Sequence, residues 1–460
     1  MANSIAIYGG SFNPPGTRHR AIAEMLSNNF DEVIVVPWAP THDRRIRYDV
    51  APVYRATMAD MTFRGMERVR VELFDLDSDD TLPSSDLSKE LGLIGDVWHV
   101  VTAQMCQGGK KGESAVHKEW QRGDAMWKQL QFAVVKNVDE EVDPDDLPPK
   151  CKIYATDRDG GNDAIRERIF HHQPVDDWII PEVLMYIRRH ALYSGAPQTR
   201  TTRFTLDELR PMIYADPYNP KSQEIAKQFP HEDRDHPNLI VVIGGDGTML
   251  RAIREHWRLR VPFYGINTGH LGFLLNSDMP TELLGQALVL EQLSLLHVDT
   301  VSPGGETKTS LGFNEAWVER ATGQTAWIEV RVNGRQRLCK LVSDGALVAT
   351  PGGSTSYARA MGATPLPLST PALLLVGNNV LFPTDWKPVL LPLDTKLEFR
   401  TLDPHKRPLM GYVDGVSHDE VHSMSIRVSS VAAVELAFDP HHDPAEKLAR
   451  IQFPMPEGGA

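Results

Sequence analysis

The sequence predicts an α/β protein built of two modules, the second of which closes in an antiparallel β region. Three observations predict it. Short apolar runs ending in glycine alternate with helical stretches in both halves of the chain, the signature of strand, helix, strand units in a parallel sheet. A polar stretch without periodicity, residues 194–202 (SGAPQTRTT), separates the halves and reads as a linker. From Trp327 onward the pattern turns to shorter alternating segments.

In order along the chain, residues 5–8 form an apolar run ending in Gly9-Gly10, residues 21–26 read as a helix, and residues 33–36 as a second strand. Residues 97–103 and 132–135 read as buried strands, residues 139–149 as an acidic, proline-containing loop, and residues 181–193 as a helix that ends the first module. The pattern restarts with strands at 212–214, 239–243 and 263–266. The segments WIEVRV, KLEFRTL and SIRVSS alternate polar and apolar residues, as half-buried antiparallel strands do. The expected domains are 1–193, a linker at 194–210, and 211–460. The halves share no repeat, and 460 residues exceed one ordinary core.

Charged residues make up 24% and apolar residues 41% of the chain, as in globular proteins, and the formal charge of −13 opposes non-specific attraction to nucleic acid. Cys106, Cys151 and Cys339 form no CxxC pair, which argues against a zinc site and for reduced thiols. No stretch approaches the roughly 18 apolar residues of a membrane span, and the opening MANSIAIYGG does not read as a leader. The expectation is a cytoplasmic protein with neither nucleic acid nor membrane as partner.

Four stretches carry chemistry in the second half. In VVIGGDGTML (241–250) a strand runs into Gly244, Gly245, Asp246, Gly247 and Thr248. Glycines at a strand end let phosphate oxygens approach backbone amides. A carboxylate beside such a loop suits proton acceptance from an attacking hydroxyl, or metal binding. The others are GINTGHLGFL (265–274), Asn314-Glu315, and DGALVATPGGSTSY (344–357), which contains Asp344, Thr355, Ser356 and Tyr357.

In this order the four resemble the NAD kinase family over about residues 212–453, and WKPVLLP, KRPL and FDPHHDPAEKLARIQF look most like the alphaproteobacterial members. The resemblance implies an α/β domain followed by an antiparallel β domain, a site in the cleft between them, and a homodimer or homotetramer. It implies that Asp246 activates the ribose 2′-hydroxyl and that Asn314 and Glu315 hold the adenosine of NAD. Asp344 would contact the other ribose or the nicotinamide side, and Thr355, Ser356 and Tyr357 would line the adenine pocket. ATP, brought with Mg2+, is the implied donor. Ser356 stands where the family has alanine, Ala360 where it has serine, and Ala363-Thr364 where it has Gly-Pro.

The opening IAIYGGSFNPPGTRHRAIAEML and FDEVIVVP, with DVWHVVTAQM, AIRERI and PEVLMYIRRHALY, resemble nicotinate or nicotinamide mononucleotide adenylyltransferases over about residues 3–193. The resemblance implies a Rossmann-like nucleotidyltransferase domain with nucleotide contacts at Gly9, Gly10, Ser11, Phe12, Arg18, Trp120 and Arg166 and a catalytic role for His19. The family's HxGH falls on Gly16-Thr17-Arg18-His19, its ISSTxIR on residues 160–166 with Arg166 kept, and its GAD on Thr102-Ala103-Gln104. Trp38 and Trp120 are candidates to stack on a pyridine ring.

Together the resemblances imply a bifunctional enzyme that makes NAD from a mononucleotide and ATP and phosphorylates it to NADP, with small-molecule nucleotides as partners. One alternative is a kinase whose first domain senses nucleotide or supports assembly. The other is a diverged enzyme acting on a related dinucleotide.

Overall fold

In the first half the apolar run at Ile5 becomes β1 (Ser4–Gly10) and is followed by β2 (Glu32–Pro37), β3 (Val69–Val71), β4 (Asp96–Thr102), β5 (Gln131–Asn137) and β6 (Cys151–Thr156). The chain is seen in a computed structural model that describes residues 3–39, 49–77, 87, 89, 91, 93, 95–157, 161–229, 231–269, 272–277 and 283–453. Gly160, His270 and Leu271, which belong to motifs named above, lie outside the described residues. The chain divides into two compact units, Met1–Gln198 and Thr199–Ala460.

Among the described residues of the first unit all strand pairs are parallel, in the order β3-β2-β1-β4-β5-β6. Neighbours lie on opposite sides of β1, so the order reverses between β1 and β4. The carboxyl ends of those two strands face the crevice where ligands bind in such sheets. The helix Thr17–Ser27 follows β1, with Gly16 in extended conformation at its N-cap. The helix Pro181–Arg189 buries Val183, Leu184, Tyr186 and Ile187 in a cluster with Tyr54 and Met58 of the helix Pro52–Phe63. The strand expected at 97–103 stops at Thr102, because the Thr102 hydroxyl accepts the amide of Met105 and starts a short helix at Ala103.

The second unit begins earlier than the expected end of the linker. Thr201–Thr205 is β7, paired antiparallel with β11 (Ala287–Val301), because the alternation in TTRFT suits an edge strand. Between them come β8 (Pro211–Ala215), β9 (Leu239–Gly244) and β10 (Phe263–Asn267), which are parallel neighbours. The antiparallel region also begins earlier than Trp327. It starts with β11 and continues through β12 (Thr307–Gly312) and β13 (Glu315–Arg320). A register shift between Ser294 and Leu296 interrupts the alternation along β11 and hides the strand from the sequence pattern.

The remaining strands are β14 (Ala326–Val332), β15 (Arg335–Ser343), β16 (Gly345–Ala349), β17 (Ala372–Asn378) and β18 (Val389–Pro392). They are followed by β19 (Leu397–Thr401), β20 (Leu409–Val413), β21 (Val416–Val421) and β22 (Ser423–Phe438). One sheet runs β18-β17-β16-β13-β20-β21. The other runs β15-β14-β19-β22-β10-β9-β8, with β11 also on β22. The long β22 pairs parallel with β10 at Leu436 and Ala437 and antiparallel with β11 and β19, so one strand ties the parallel layer to the antiparallel one. A single cluster joins Met249 and Ile253 of the helix Asp246–His256 to Phe273, Leu274, Phe313, Leu436 and Ile451, which fixes the site loops against one core.

Candidate active site

The glycine loop sits at the carboxyl end of β9, between β8 and β10. A Cβ on Gly244 would lie 2.5 Å from Thr248 Oγ1, so the close return of the helix requires glycine there. Among the described residues nothing lies within 4 Å of a Cβ built on Gly245 or Gly247, which leaves that face of the loop open to them. Gly245 is the N-cap and Asp246 the first residue of the helix Asp246–His256. There the positive end of the helix dipole favours the carboxylate. Asp246 Oδ1 accepts the amide of Leu274 at 2.8 Å and Oδ2 that of Phe273 at 3.0 Å. The pair orients both oxygens and leaves each with further lone pairs. Thr248 is buried, and its hydroxyl contacts Asp216 Oδ2 at 3.4 Å beyond the end of β8.

Asn314 and Glu315 are 4% and 5% exposed at the start of β13. Among the described residues, neither Asn314 Oδ1 nor Glu315 Oε2 has a hydrogen-bond partner. Leaving a buried acceptor unpaired costs about 1–3 kcal/mol, so two side by side mark a place for donors from a ligand. Burial pushes the Glu315 carboxyl up to about 7, with the nearby Asp414 adding to the rise. The hydroxyl of Ser356, which donates to Oε1 at 3.0 Å, and the Tyr357 amide pull it down.

Two features hold this pair. Gly353 packs against it so closely that a Cβ would lie 2.3 Å from Asn314 O and 2.7 Å from Glu315 Oε2. Asp414, in the left-handed region at φ 46°, accepts the consecutive amides of Phe313, Asn314 and Glu315 at 2.6, 2.8 and 3.0 Å. Arg254, from the helix that begins at Asp246, donates to the Asp414 carbonyl at 3.0 Å. The glycine-loop helix and the Asn314-Glu315 turn thereby share a support.

Tyr357 stands edge-on to Trp317, 5.3 Å between centroids, and Trp317 stacks on Tyr412 at 4.9 Å. Thr355 lies in a tight turn with its hydroxyl near the Gly352 carbonyl. Asp344 is placed elsewhere. Its carboxylate pairs with Arg320 Nε at 2.6 Å and accepts from Asn379 at 2.8 Å. In the ladder of β13 with β16, Glu315 faces Ala349, five residues from Asp344, which is roughly 17 Å along the strand. Asp344 and Glu315 of one chain therefore occupy opposite ends of that ladder. Among the described residues no group of three or more His, Cys, Asp or Glu side chains is placed to hold a metal ion.

In the first unit, Gly9 and Gly10 end β1 at the switch point, and a Cβ on Gly9 would meet the Trp38 indole at 2.4 Å. Phe12 has φ 43° and stands edge-on to His19, 5.3 Å between centroids. His19 Nδ1 accepts the Gly16 amide at 2.9 Å, and burial together with the charge of Arg18 pushes the ring down to about 4. Arg166 is buried and donates to the Asn13 carbonyl and to Asp163. Ser11 accepts from Asn162 at 2.7 Å, and its carbonyl is taken by the buried Arg55. Trp120 packs against His99 and Phe132, in keeping with a core residue.

The family model described as ATP-NAD kinase N-terminal domain matches residues 161–288. The chain is 39% identical over 219 residues to an NAD kinase of Cereibacter sphaeroides, covering 47% of this chain and 86% of that protein. The chain belongs to the NAD kinase family. Relatives of the same name from Zymomonas mobilis and Rickettsia bellii are each 34% identical, over 245 and 233 residues, covering 51% and 50% of this chain and 94% and 91% of theirs. The NAD kinase relationship thus extends over about half of the chain.

Within the NAD kinase half, Asp216, Lys447 and Asp414 escaped the sequence reading. Asp414 sits in a Val-Asp-Gly turn between two strands, a signal indistinguishable from ordinary hairpin chemistry. Lys447 lies in the helix Pro444–Gln452, where a lysine among Glu and Arg reads as a solvated face.

Proposed function

We propose that this chain transfers the γ-phosphoryl group of ATP to the 2′-hydroxyl of the adenosine ribose of NAD, giving NADP and ADP. The observation that carries this reading is the pair of buried, unpartnered acceptors on Asn314 and Glu315. Their chemistry suits hydroxyl and amino donors of a nucleoside. The glycine loop with Asp246 at a helix N-terminus suits a polyphosphate beside a proton acceptor. The kinase relatives support the same assignment.

In this reading the adenosine lies by Tyr357 and Ser356, and Asp246 receives the proton as the ribose oxygen bonds to phosphorus and the bond to ADP breaks. Magnesium carried on the triphosphate neutralises phosphoryl charge. Gly244, Gly245, Gly247 and Thr248 offer backbone amides to the phosphates, and Asp344 serves the nicotinamide side. The test supplies NAD and magnesium ATP to the full chain and separates products by chromatography, with NADH as a second acceptor and polyphosphate as a second donor. NADP formation is expected. Absence of any phosphorylated dinucleotide overturns the reading.

For the first unit we propose a nucleotide-binding module that does not sustain adenylyl transfer. Its strand order opens the crevice at Gly9-Gly10. Arg166, however, already faces Asp163 and Asn13, and His19 spends Nδ1 on Gly16. Incubation with nicotinamide or nicotinate mononucleotide and ATP decides between this reading and the bifunctional one. NAD or its deamido form appearing at a rate matching the kinase step would restore adenylyl transfer to this unit.

A further inference from the structure

Lys447 comes from the helix Pro444–Gln452, which is capped at its start by Asp443 accepting the amides of Ala445 and Glu446. Its Nζ donates to the carbonyl of Gly272 at 2.8 Å and to that of Leu275. The residues between those carbonyls, Phe273 and Leu274, are the ones whose amides hold the Asp246 carboxylate. The turn at 272–275 therefore lies between two charges, with its amides toward the carboxylate and its carbonyls toward the ammonium. Hydrogen bonds to charged groups are the strong ones, and here they grip both sides of one short turn.

The helix is also held from the adenine side. One turn after Lys447 the Ile451 carbonyl accepts from Arg359, two residues beyond Tyr357, at 2.7 Å, while the Ile451 side chain enters the core shared with Phe273 and Phe313. Burial lowers the Lys447 ammonium to about 8, Asp246 opposes that fall, and Arg450 of the same helix adds to it. His442, stacked on Phe438, also feels the Lys447 charge.

We propose that Lys447 is a positioning residue for phosphoryl transfer: by holding the carbonyls of Gly272 and Leu275, it fixes the turn that aims the Asp246 carboxylate at the reacting hydroxyl. This rests on the reading of Asp246 as the proton acceptor. Loss of the ammonium loosens the turn without removing any group that touches substrate. The consequence falls on turnover rather than on NAD binding.

The experiment compares the full chain with its Lys447→Met and Lys447→Arg variants, measuring kcat and KM for NAD across the alkaline range and hydrogen exchange over residues 272–277. Lys447→Met is expected to lower kcat by about 10- to 100-fold, the scale of a small misplacement of a catalytic group, with KM within about twofold. Exchange at 272–277 should quicken. Wild-type kcat should decline above about pH 8, and Lys447→Arg should remove that decline, because a guanidinium stays protonated. An unchanged kcat in Lys447→Met, or a loss confined to KM, overturns the proposal. If Lys447→Met does not fold, the arginine profile decides: an alkaline decline that persists in Lys447→Arg overturns the proposal, and its disappearance there sustains it. If the wild type makes no NADP, the kinase reading fails separately and exchange at 272–277 decides whether Lys447 holds the turn, unchanged exchange overturning it.

Discussion

The Ser356 hydroxyl donates to Glu315 Oε1 at 3.0 Å, while Glu315 Oε2 stays buried and without a partner among the described residues. One oxygen of the carboxylate is thus committed within the protein and the other is left for a ligand. The commitment is made by the hydroxyl that Ser356 carries. The Ser356→Ala variant should push the Glu315 carboxyl further above its ordinary range, since the serine hydrogen bond acts to lower it. The expected result is a rise in KM for NAD of about 2- to 10-fold near neutral pH, the scale of one lost hydrogen bond. The rise should vanish at higher pH, and KM measured against pH checks it.

Asp246→Asn should keep the fold and lower kcat by ~10² to 10⁴-fold, as expected for lost acid-base assistance. The asparagine can accept only one of the two amides of Phe273 and Leu274 through its oxygen. A small drop in melting temperature should accompany the loss. Steady-state kinetics beside a melting curve checks both, and unimpaired turnover would contradict the assigned role.

Glu315 makes the folded protein sensitive to pH. Its carboxyl is raised from 4.5 to about 7, so its contribution to stability is full below about 4.5 and is lost as pH rises through about 7. The span corresponds to up to about 3 kcal/mol. Glu315→Gln should remove that decline, and urea unfolding at about pH 5 and at about pH 8 measures it.

Gly353→Ala places a methyl group against the Asn314 carbonyl and the free oxygen of Glu315. Overpacking of this kind costs about 1–3 kcal/mol. The expected outcome is a lowered melting temperature together with weakened NAD binding by calorimetry. Among the described residues the methyl of Gly245→Ala meets nothing within 4 Å and should leave stability little changed, which makes it the control for the melting temperature alone.

Much of the architecture was legible because its signals are local. The apolar runs at Ile5, Leu239 and Phe263 announced β1, β9 and β10 by composition alone, and the glycine loop announced itself by three glycines around one carboxylate. The strand β11 was hidden by its register shift, and β7 by the polarity that suits an edge. Neither signal can be separated from loop composition until the partner strand is known.

The sequence by itself determined the strand, loop, helix order and the residue types gathered in the glycine loop and at Asn314-Glu315, because residue type and spacing are read without knowing what lies across the fold. Only the tertiary structure decided which of these groups are held and by what. It brought the Asp414 carboxylate, about 100 residues along the chain, to three consecutive amides, laid the Lys447 ammonium against the turn that holds Asp246, and set Asp344 at the far end of the ladder from Glu315. Those relations arise from strand pairing and burial between distant segments, where a hydrogen bond's partner is chosen by the fold and leaves no periodicity in the sequence.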